Sequence, residues 1–276
     1  MMKKALLLAG LAAAFAFVGC NKETDVKGLD GRKVEIVLTE AQTRTVNDGM
    51  STKWAEGDAL SVFYASAGTT EYTVAQFDVT DPTNRVATGT VDLTAESYDW
   101  YLFYPYDSHL KTPANTSTGY MTVGGLNQTQ KGNDSKEHLA GVNLPIVGVA
   151  KSVSASTNPP VSMKHVSSVA AVKVTNDTDQ PLTVNTISFT ASEDIVGTYY
   201  IDFSGETVAF KSSGANYVSN AVTLSVEDGA AIAVGSSAMF YMAVKPFTAN
   251  VDDELKISVI ADQGEVEKTV KLDRKS

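Results

Sequence analysis

From residue 33 onward apolar side chains recur at every second position, and no other feature restricts the fold of this chain as strongly. Val34, Ile36 and Leu38 alternate with Lys33, Glu35 and Val37; Val222, Leu224 and Val226 repeat the pattern, as do Leu255, Ile257, Val259 and Ala261. Successive side chains of an extended strand point to opposite faces, so this period predicts half-buried strands. Ser204-Gly205, Asp228-Gly229 and Gln263-Gly264 fall between such runs as turns. Beyond an N-terminal apolar run, no segment shows the spacing of an amphipathic helix. The expected fold is all-β, made of sandwiches rather than βαβ units.

Residues 97–106, SYDWYLFYPY, are apolar on both faces. That composition predicts a central strand covered on two sides and ended by Pro105. Residues 112–136 are rich in Gly, Asn, Ser and Thr and read as an exposed loop region with a short strand at most. Residues 152–160, SVSASTNPP, read as a domain linker or a long loop between sheets. This stretch divides the chain into an N-terminal sandwich at 33–158 and a C-terminal one at 159–276.

The N-terminus has a different character. Lys3 and Lys4 precede an apolar run over residues 5–18, and small residues lead to Cys20, the single cysteine. A bilayer-spanning helix needs about 20 apolar residues, so residues 1–19 read as an export signal rather than an anchor helix. Phe17-Val18-Gly19-Cys20 resembles a lipobox, where bacterial lipoproteins are acylated on cysteine and cleaved just before it. The other reading of Cys20 is the end of an ordinary signal, cut a few residues further on. A lipid thioether would remove a lone thiol from an oxidising compartment, and without other cysteines the exported chain must fold by burial alone. Residues 20–32 are polar with two glycines, the composition of a flexible tether carrying the lipid. Lys22-Glu23-Thr24-Asp25 resembles the acidic signal that sends lipoproteins of Gram-negative anaerobes to the outer face of the outer membrane. The formal net charge of −10 becomes −12 once the two signal lysines leave. Such a surface repels nucleic-acid phosphates and anionic headgroups, so membrane attachment falls to the lipid.

Residues that could carry chemistry are sparse. His109, His138 and His165 are far apart in sequence and none sits in a paired-ligand spacing such as H-x-x-x-H, so no metal site is expected. The serines lack a G-x-S-x-G setting and no phosphate-cradling loop occurs, so no catalytic residue and no cofactor is expected. Asp252-Asp253-Glu254 reads as a solvated turn between strands. Trp54, Trp100, Tyr101, Phe103, Tyr104 and Tyr106 could form a sugar-stacking platform if exposed together. Aromatics alternating along strands are more often core.

Several stretches together resemble a known family. Thr43-Arg44-Thr45, followed by Thr52-Lys53-Trp54-Ala55-Glu56-Gly57-Asp58-Ala59-Leu60-Ser61-Val62-Phe63, is similar to the "TRT…W-x-E-G-D-x-[IL]-x-V" opening of the fimbrillin and Mfa-like lipoproteins. Tyr101-Leu102-Phe103-Tyr104-Pro105-Tyr106 and Met163-Lys164-His165-Val166-Ser167-Ser168 resemble that family's "Y-x-x-YPY" and "H-x-x-S" stretches. The resemblance implies two transthyretin-like β-sandwich domains in tandem. It implies a pilus subunit, anchor or tip component, or an adhesin, lipid-anchored at the cell outer membrane. Its partners would be other fimbrillin subunits in a homo- or hetero-polymer, and a host or bacterial surface ligand.

In this family some subunits assemble after a protease cuts behind an N-terminal arginine, when the first strand leaves and a neighbour's strand fills the groove. Carried over, the arginine is Arg44 and the displaced strand contains Val34, Ile36 and Leu38. The other reading of Arg44 is an ordinary surface arginine. Family members tend to continue past the position of residues 270–276 into a further strand; if that strand is the donor, this chain would accept a strand without donating one. A terminal or accessory role is then as open as a stalk role. The alternative function is an outer-membrane glycan-binding lipoprotein with no pilus role; an exported hydrolase lacks any motif.

Overall fold

A computed structural model of the chain describes residues 29–38, 54–114, 120–205 and 207–271. These residues are all-β, with no α-helix among them and two single-turn 3-10 segments at Glu137–Leu139 and Gly141–Asn143. The strands are β1 (Leu29–Val37), β2 (Ala59–Ser66), β3 (Thr73–Asp81), β4 (Val86–Leu93), β5 (Ser97–Tyr104) and β6 (Tyr120–Val123). Then come β7 (Asn127–Lys131), β8 (Ile146–Ser154), β9 (Ser162–His165), β10 (Ser168–Thr175), β11 (Leu182–Thr190) and β12 (Val196–Asp202). The last are β13 (Ala209–Ser212), β14 (Val218–Ser219), β15 (Ala221–Ile232), β16 (Ser237–Val244), β17 (Glu254–Ala261) and β18 (Gly264–Lys271).

A seven-stranded antiparallel sheet runs in the order β1-β4-β3-β2-β5-β8-β9. Its central strands β2 and β5 are buried along nearly their whole length, which explains why residues 97–104 are apolar on both faces. One face gathers Val34, Ile36, Leu60, Val62, Phe77, Trp100 and Leu102 into a core. The other face presents Phe63, Tyr101, Phe103 and Val147 to Val123 of β6 and to Tyr199 and Ile201 of β12, with Phe203 just beyond it. Phe203 lies edge-on to Phe63 at a ring separation of 6.0 Å. A second sandwich sets the five-stranded sheet β18-β17-β11-β15-β7 against the pair β10-β16, around Val184, Ile187, Leu224, Phe240 and Met242.

Strand pairing does not follow the expected division at 158/159. β9 lies beyond it yet pairs with β8 in the first sheet, while β6 and β7 precede it and join β12 and β15. The expected tether is also too long at its C-terminal end. Leu29 already pairs with Leu93 and Arg32 with Val91, and the bulge between them turns on Gly31, whose φ of 68° suits glycine.

Residues 112–136, expected to be mostly exposed loop, contain both β6 and β7. Strand β7, NQTQK, runs parallel to β15 and buries Gln128 and Gln130. The two glutamines act as substitutes for a neighbouring strand along the outer edge of β16. Ala243 donates its N–H to Gln128 Oε1 at 2.8 Å, and Gln128 Nε2 donates back to the Ala243 carbonyl at 2.8 Å. Gln130 brackets the next positions, accepting from the Tyr241 N–H at 3.0 Å and donating to the Met239 carbonyl at 3.1 Å. Asp134 accepts from the Met239 N–H at 2.8 Å, and His138 Nε2 donates to the Tyr241 carbonyl at 2.8 Å. Buried backbone groups must be paired, and here side chains pair them.

This cap has a consequence for pH. Burial holds the His138 imidazole below its ordinary pKa, opposed by its hydrogen bond to Tyr241; burial likewise lowers His165, opposed by its bond to the Leu144 backbone. Both stay neutral to lower pH in the fold than in the unfolded chain, where a histidine takes up a proton near pH 6.5. Their contribution to stability is therefore complete above that pH and is lost as pH falls below it. Melting temperature is expected to drop between about pH 7.5 and about pH 5.5, and to drop less in His138→Gln, whose amide can still donate to Tyr241. Equal drops in the two proteins would contradict this assignment.

Candidate functional site

The three residues expected to mark a displaceable strand all lie at the N-terminal margin of the seven-stranded sheet. Val34 and Ile36 sit in β1 and Leu38 immediately follows it; all three side chains are fully buried, while Val37 is 62% exposed. The period of two places Val34, Ile36 and Leu38 on the core side and Lys33, Glu35 and Val37 on the outside. Strand β4 accommodates them with small residues: Gly89 stands opposite Val34 and Ala87 opposite Ile36. Gly89 is required there, because a Cβ on it would come within 2.2 Å of the Phe77 ring.

β1 is the terminal strand of its sheet, and β4 is its only ladder partner among the described residues. Its outer edge meets the segment before β9 instead of another strand. Asn158 Oδ1 accepts from the Glu35 N–H and from Arg32 Nη2, each at 3.4 Å. Pro159 and Pro160 follow, and proline has no N–H to extend a ladder. Between the two edges lies a cleft of about 490 Å3 lined by Glu35, Val37, Val86, Asn158, Pro159, Pro160, Val161 and Ser162. Residues 158–160, the end of the stretch expected to be a domain linker or a long loop between sheets, thus form the wall beside β1, while residues 152–154 belong to β8. Asn158 and the two prolines were not singled out from sequence as site residues, because residues unable to pair read equally as linker.

Two of the motifs behind the family resemblance, the W-x-E-G-D turn and the Y-x-x-YPY stretch, are structural and meet in space. Asp58 Oδ2 accepts from the Ala55 N–H at 2.8 Å, closing the turn over Glu56 and Gly57, whose φ is 92°. The Tyr104 hydroxyl donates to Asp58 Oδ1 at 2.8 Å, and Trp54 meets the Tyr104 ring edge-on at 4.9 Å. Burial, then the hydrogen bond and charge of Asp58, push the Tyr104 hydroxyl pKa well up, so it stays a donor. The H-x-x-S stretch ends β9 and starts β10, where the chain passes from one sandwich to the other.

Cys20 and Arg44 lie outside the described residues, as do Thr43, Thr45, Thr52 and Lys53. Of the six aromatics that could stack on sugar, Trp54, Trp100, Tyr101 and Phe103 are buried in the cores, Tyr104 is half-buried and Tyr106 alone is exposed. They do not form a platform. His109 is exposed beside Asp107, His138 caps β16 and His165 ends β9; among the described residues no cluster of His, Cys, Asp or Glu is arranged to hold a metal ion. Asp253 accepts from the Asn250 N–H and from Ser192 Oγ, and these hydrogen bonds hold its carboxyl below the usual range in a solvated turn. Among the described residues no helix is long and apolar enough to cross a membrane.

No protein-family model matches the sequence, and no curated protein matches it either. Solved structures do match the fold. The crystal structure of a Bacteroides ovatus protein whose proposed role is cell adhesion is similar over 87% of this chain and 86% of that one, with a TM-score of 0.53 at 12% sequence identity. The tip fimbrial protein Mfa3 of Porphyromonas gingivalis, solved with a C-terminal truncation, aligns over 87% of this chain and 82% of that one, with a TM-score of 0.41 at 12% identity.

Proposed function

We propose that this chain is a surface-displayed, fimbrillin-like lipoprotein, a subunit or adhesin whose first strand is removable. Cys20 would carry the lipid that holds it at the outer membrane, with the tether lifting the sandwiches off the surface. Cleavage behind Arg44 would release the lipid and β1 together and open the groove beneath Val34, Ile36 and Leu38. A strand from a neighbouring subunit would then fill it, which is β-augmentation used for assembly. No catalysis is assigned to the chain.

The observation that carries this reading is the position of β1, a terminal strand with three fully buried side chains and a single ladder partner among the described residues. A strand between two partners would have to break two ladders to leave; this one breaks one. The likeness in fold to a Bacteroides ovatus protein proposed to act in cell adhesion supports a surface role, and the packed aromatics remove the main support for glycan binding. The test is cleavage of the lipid-free precursor by an arginine-specific protease. Oligomers, or uptake of an added peptide of residues 29–40, are expected from the cleaved chain and not from the intact one, whereas a cleaved monomer that shows neither would count against strand exchange.

A further inference from the structure

The sheet edges of this molecule are guarded unequally. β1 is faced by Asn158 and two prolines, and the outer edge of β16 is taken up by the side chains of Gln128, Gln130, Asp134 and His138. The outer edge of β10 has no such partner among the described residues. β10 pairs with β16 in register from Ser168 opposite Val244 to Thr175 opposite Ser237. Since the backbone groups of Met239, Tyr241 and Ala243 face the glutamine side, it is the alternate pairs, such as Ala170 with Met242 and Val172 with Phe240, that exchange hydrogen bonds. The N–H and C=O groups of Val169, Ala171 and Lys173 therefore point away from the sheet, and Ala171 and Lys173 are exposed. Natural proteins usually blunt such an edge.

The layer across from this edge is also incompletely covered among the described residues. Five strands face two. The glutamines tie β16 to β7, at one end of the five-stranded row, so β10 looks toward the other end, where β17 and β18 lie. There the core-side residues Leu255, Ile257 and Val259 are only partly buried. On β18 the same face presents Val266, 69% exposed, and Val270, 36% exposed, with Lys268 between them. One strand added beside β10, about 4.8 Å from it, would lie over this face at the ordinary spacing of packed sheets, about 10 Å.

We propose that the outer edge of β10 and the uncovered face of β17 and β18 form a docking surface for an extended segment of another polypeptide, apolar at alternate positions. The backbone of that segment pairs with Val169, Ala171 and Lys173. Its apolar side chains cover Val266 and Val270, and an acidic side chain among its outward-facing positions, such as Glu35 in the peptide used below, suits Lys173. This surface is separate from the groove under β1 and needs no cleavage at Arg44, so it stands or falls independently of strand exchange there.

The test uses the lipid-free full chain and a synthetic peptide, RKVEIVLTE, which has the required alternation. Residue-resolved hydrogen exchange is measured with and without peptide. In the free protein the amides of Val169, Ala171 and Lys173 are expected to exchange fast, and saturating peptide is expected to slow them by about tenfold or more. Ala171→Pro is expected to abolish that protection without changing the melting temperature of the free protein, because its N–H faces outward. Val266→Lys, at an exposed position, is expected to weaken peptide binding by about tenfold while leaving the fold intact. Slowed amides at β1 and β4 instead would report the N-terminal groove and overturn docking at β10. Unchanged β10 amides at millimolar peptide, or protection that survives both substitutions, would also overturn it.

Discussion

Ile36→Asp is expected to lower stability by about 4 kcal/mol or more, while Val37→Asp, one residue along, stays within about 0.5 kcal/mol. The contrast follows from the two faces of β1. Ile36 is fully buried against a core that includes Phe77, Val62 and Leu60, whereas Val37 is exposed beside the cleft. Losing the isoleucine alone costs about 2–5 kcal/mol, and an unpaired carboxylate in its place adds a desolvation cost that only protonation or unfolding can relieve. Urea titration monitored by tryptophan fluorescence reads the effect where it occurs, since Trp54 and Trp100, the two tryptophans of the chain, both belong to this core. Equal losses in the two variants would contradict the burial of β1.

The second large effect is expected from Gly89→Ala, a loss of about 2–3 kcal/mol from the addition of one methyl group. The new Cβ would lie 2.2 Å from Phe77 Cδ1 and 2.4 Å from Cε1, so the ring must move, and Phe77 is fully enclosed. Gly89 also faces Val34 across the ladder, so displacement of the ring is transmitted to the packing of β1. Adding Phe77→Leu is expected to restore part of the loss, because the smaller side chain frees the space the methyl needs. The double variant should be more stable than the sum of the single effects by at least about 1 kcal/mol. Additive effects in a denaturant series would show that the clash is not the cause.

Much of the fold is legible from alternation alone, for a simple reason. A strand with one wet and one dry face must alternate, and Val34, Ile36 and Leu38 do so because they reach the core while Glu35 and Val37 do not. The double-faced stretch at 97–104 was equally readable, since Trp100 and Leu102 pack into the core on one face and Tyr101 and Phe103 into the core on the other. β7 was not readable, because its inward positions are glutamines that hydrogen-bond to β16 rather than apolar residues that bury area. β18 is exposed along its whole length, so its valines are not matched by burial. The order of strands is a further step removed from local pattern. Nothing near Val34 encodes that β1 ends the sheet; that property is set by β4 on one side and by Asn158, Pro159 and Pro160, far along the chain, on the other.

The same geometry gives strand release its physical plausibility. Burial of three such side chains is worth about 1.5–3 kcal/mol each, and ladder bonds contribute about 0.5–1.5 kcal/mol each. A groove emptied of β1 therefore loses gross contacts on the order of 10 kcal/mol, comparable to the whole stability of a typical domain. Such a groove is either filled by another strand or unfolds.

The most direct test follows the fate of that groove after cleavage. Lipid-free precursor is treated with an arginine-specific protease, the cut at Arg44 is verified by mass, and the products are run on a non-reducing gel beside an Arg44→Ala control. The expected result is a ladder of oligomers from the cleaved chain, suppressed by excess peptide of residues 29–40, with the control remaining monomeric. Clean cleavage that leaves a folded monomer, with tryptophan fluorescence unchanged and no uptake of the peptide, would contradict a removable first strand.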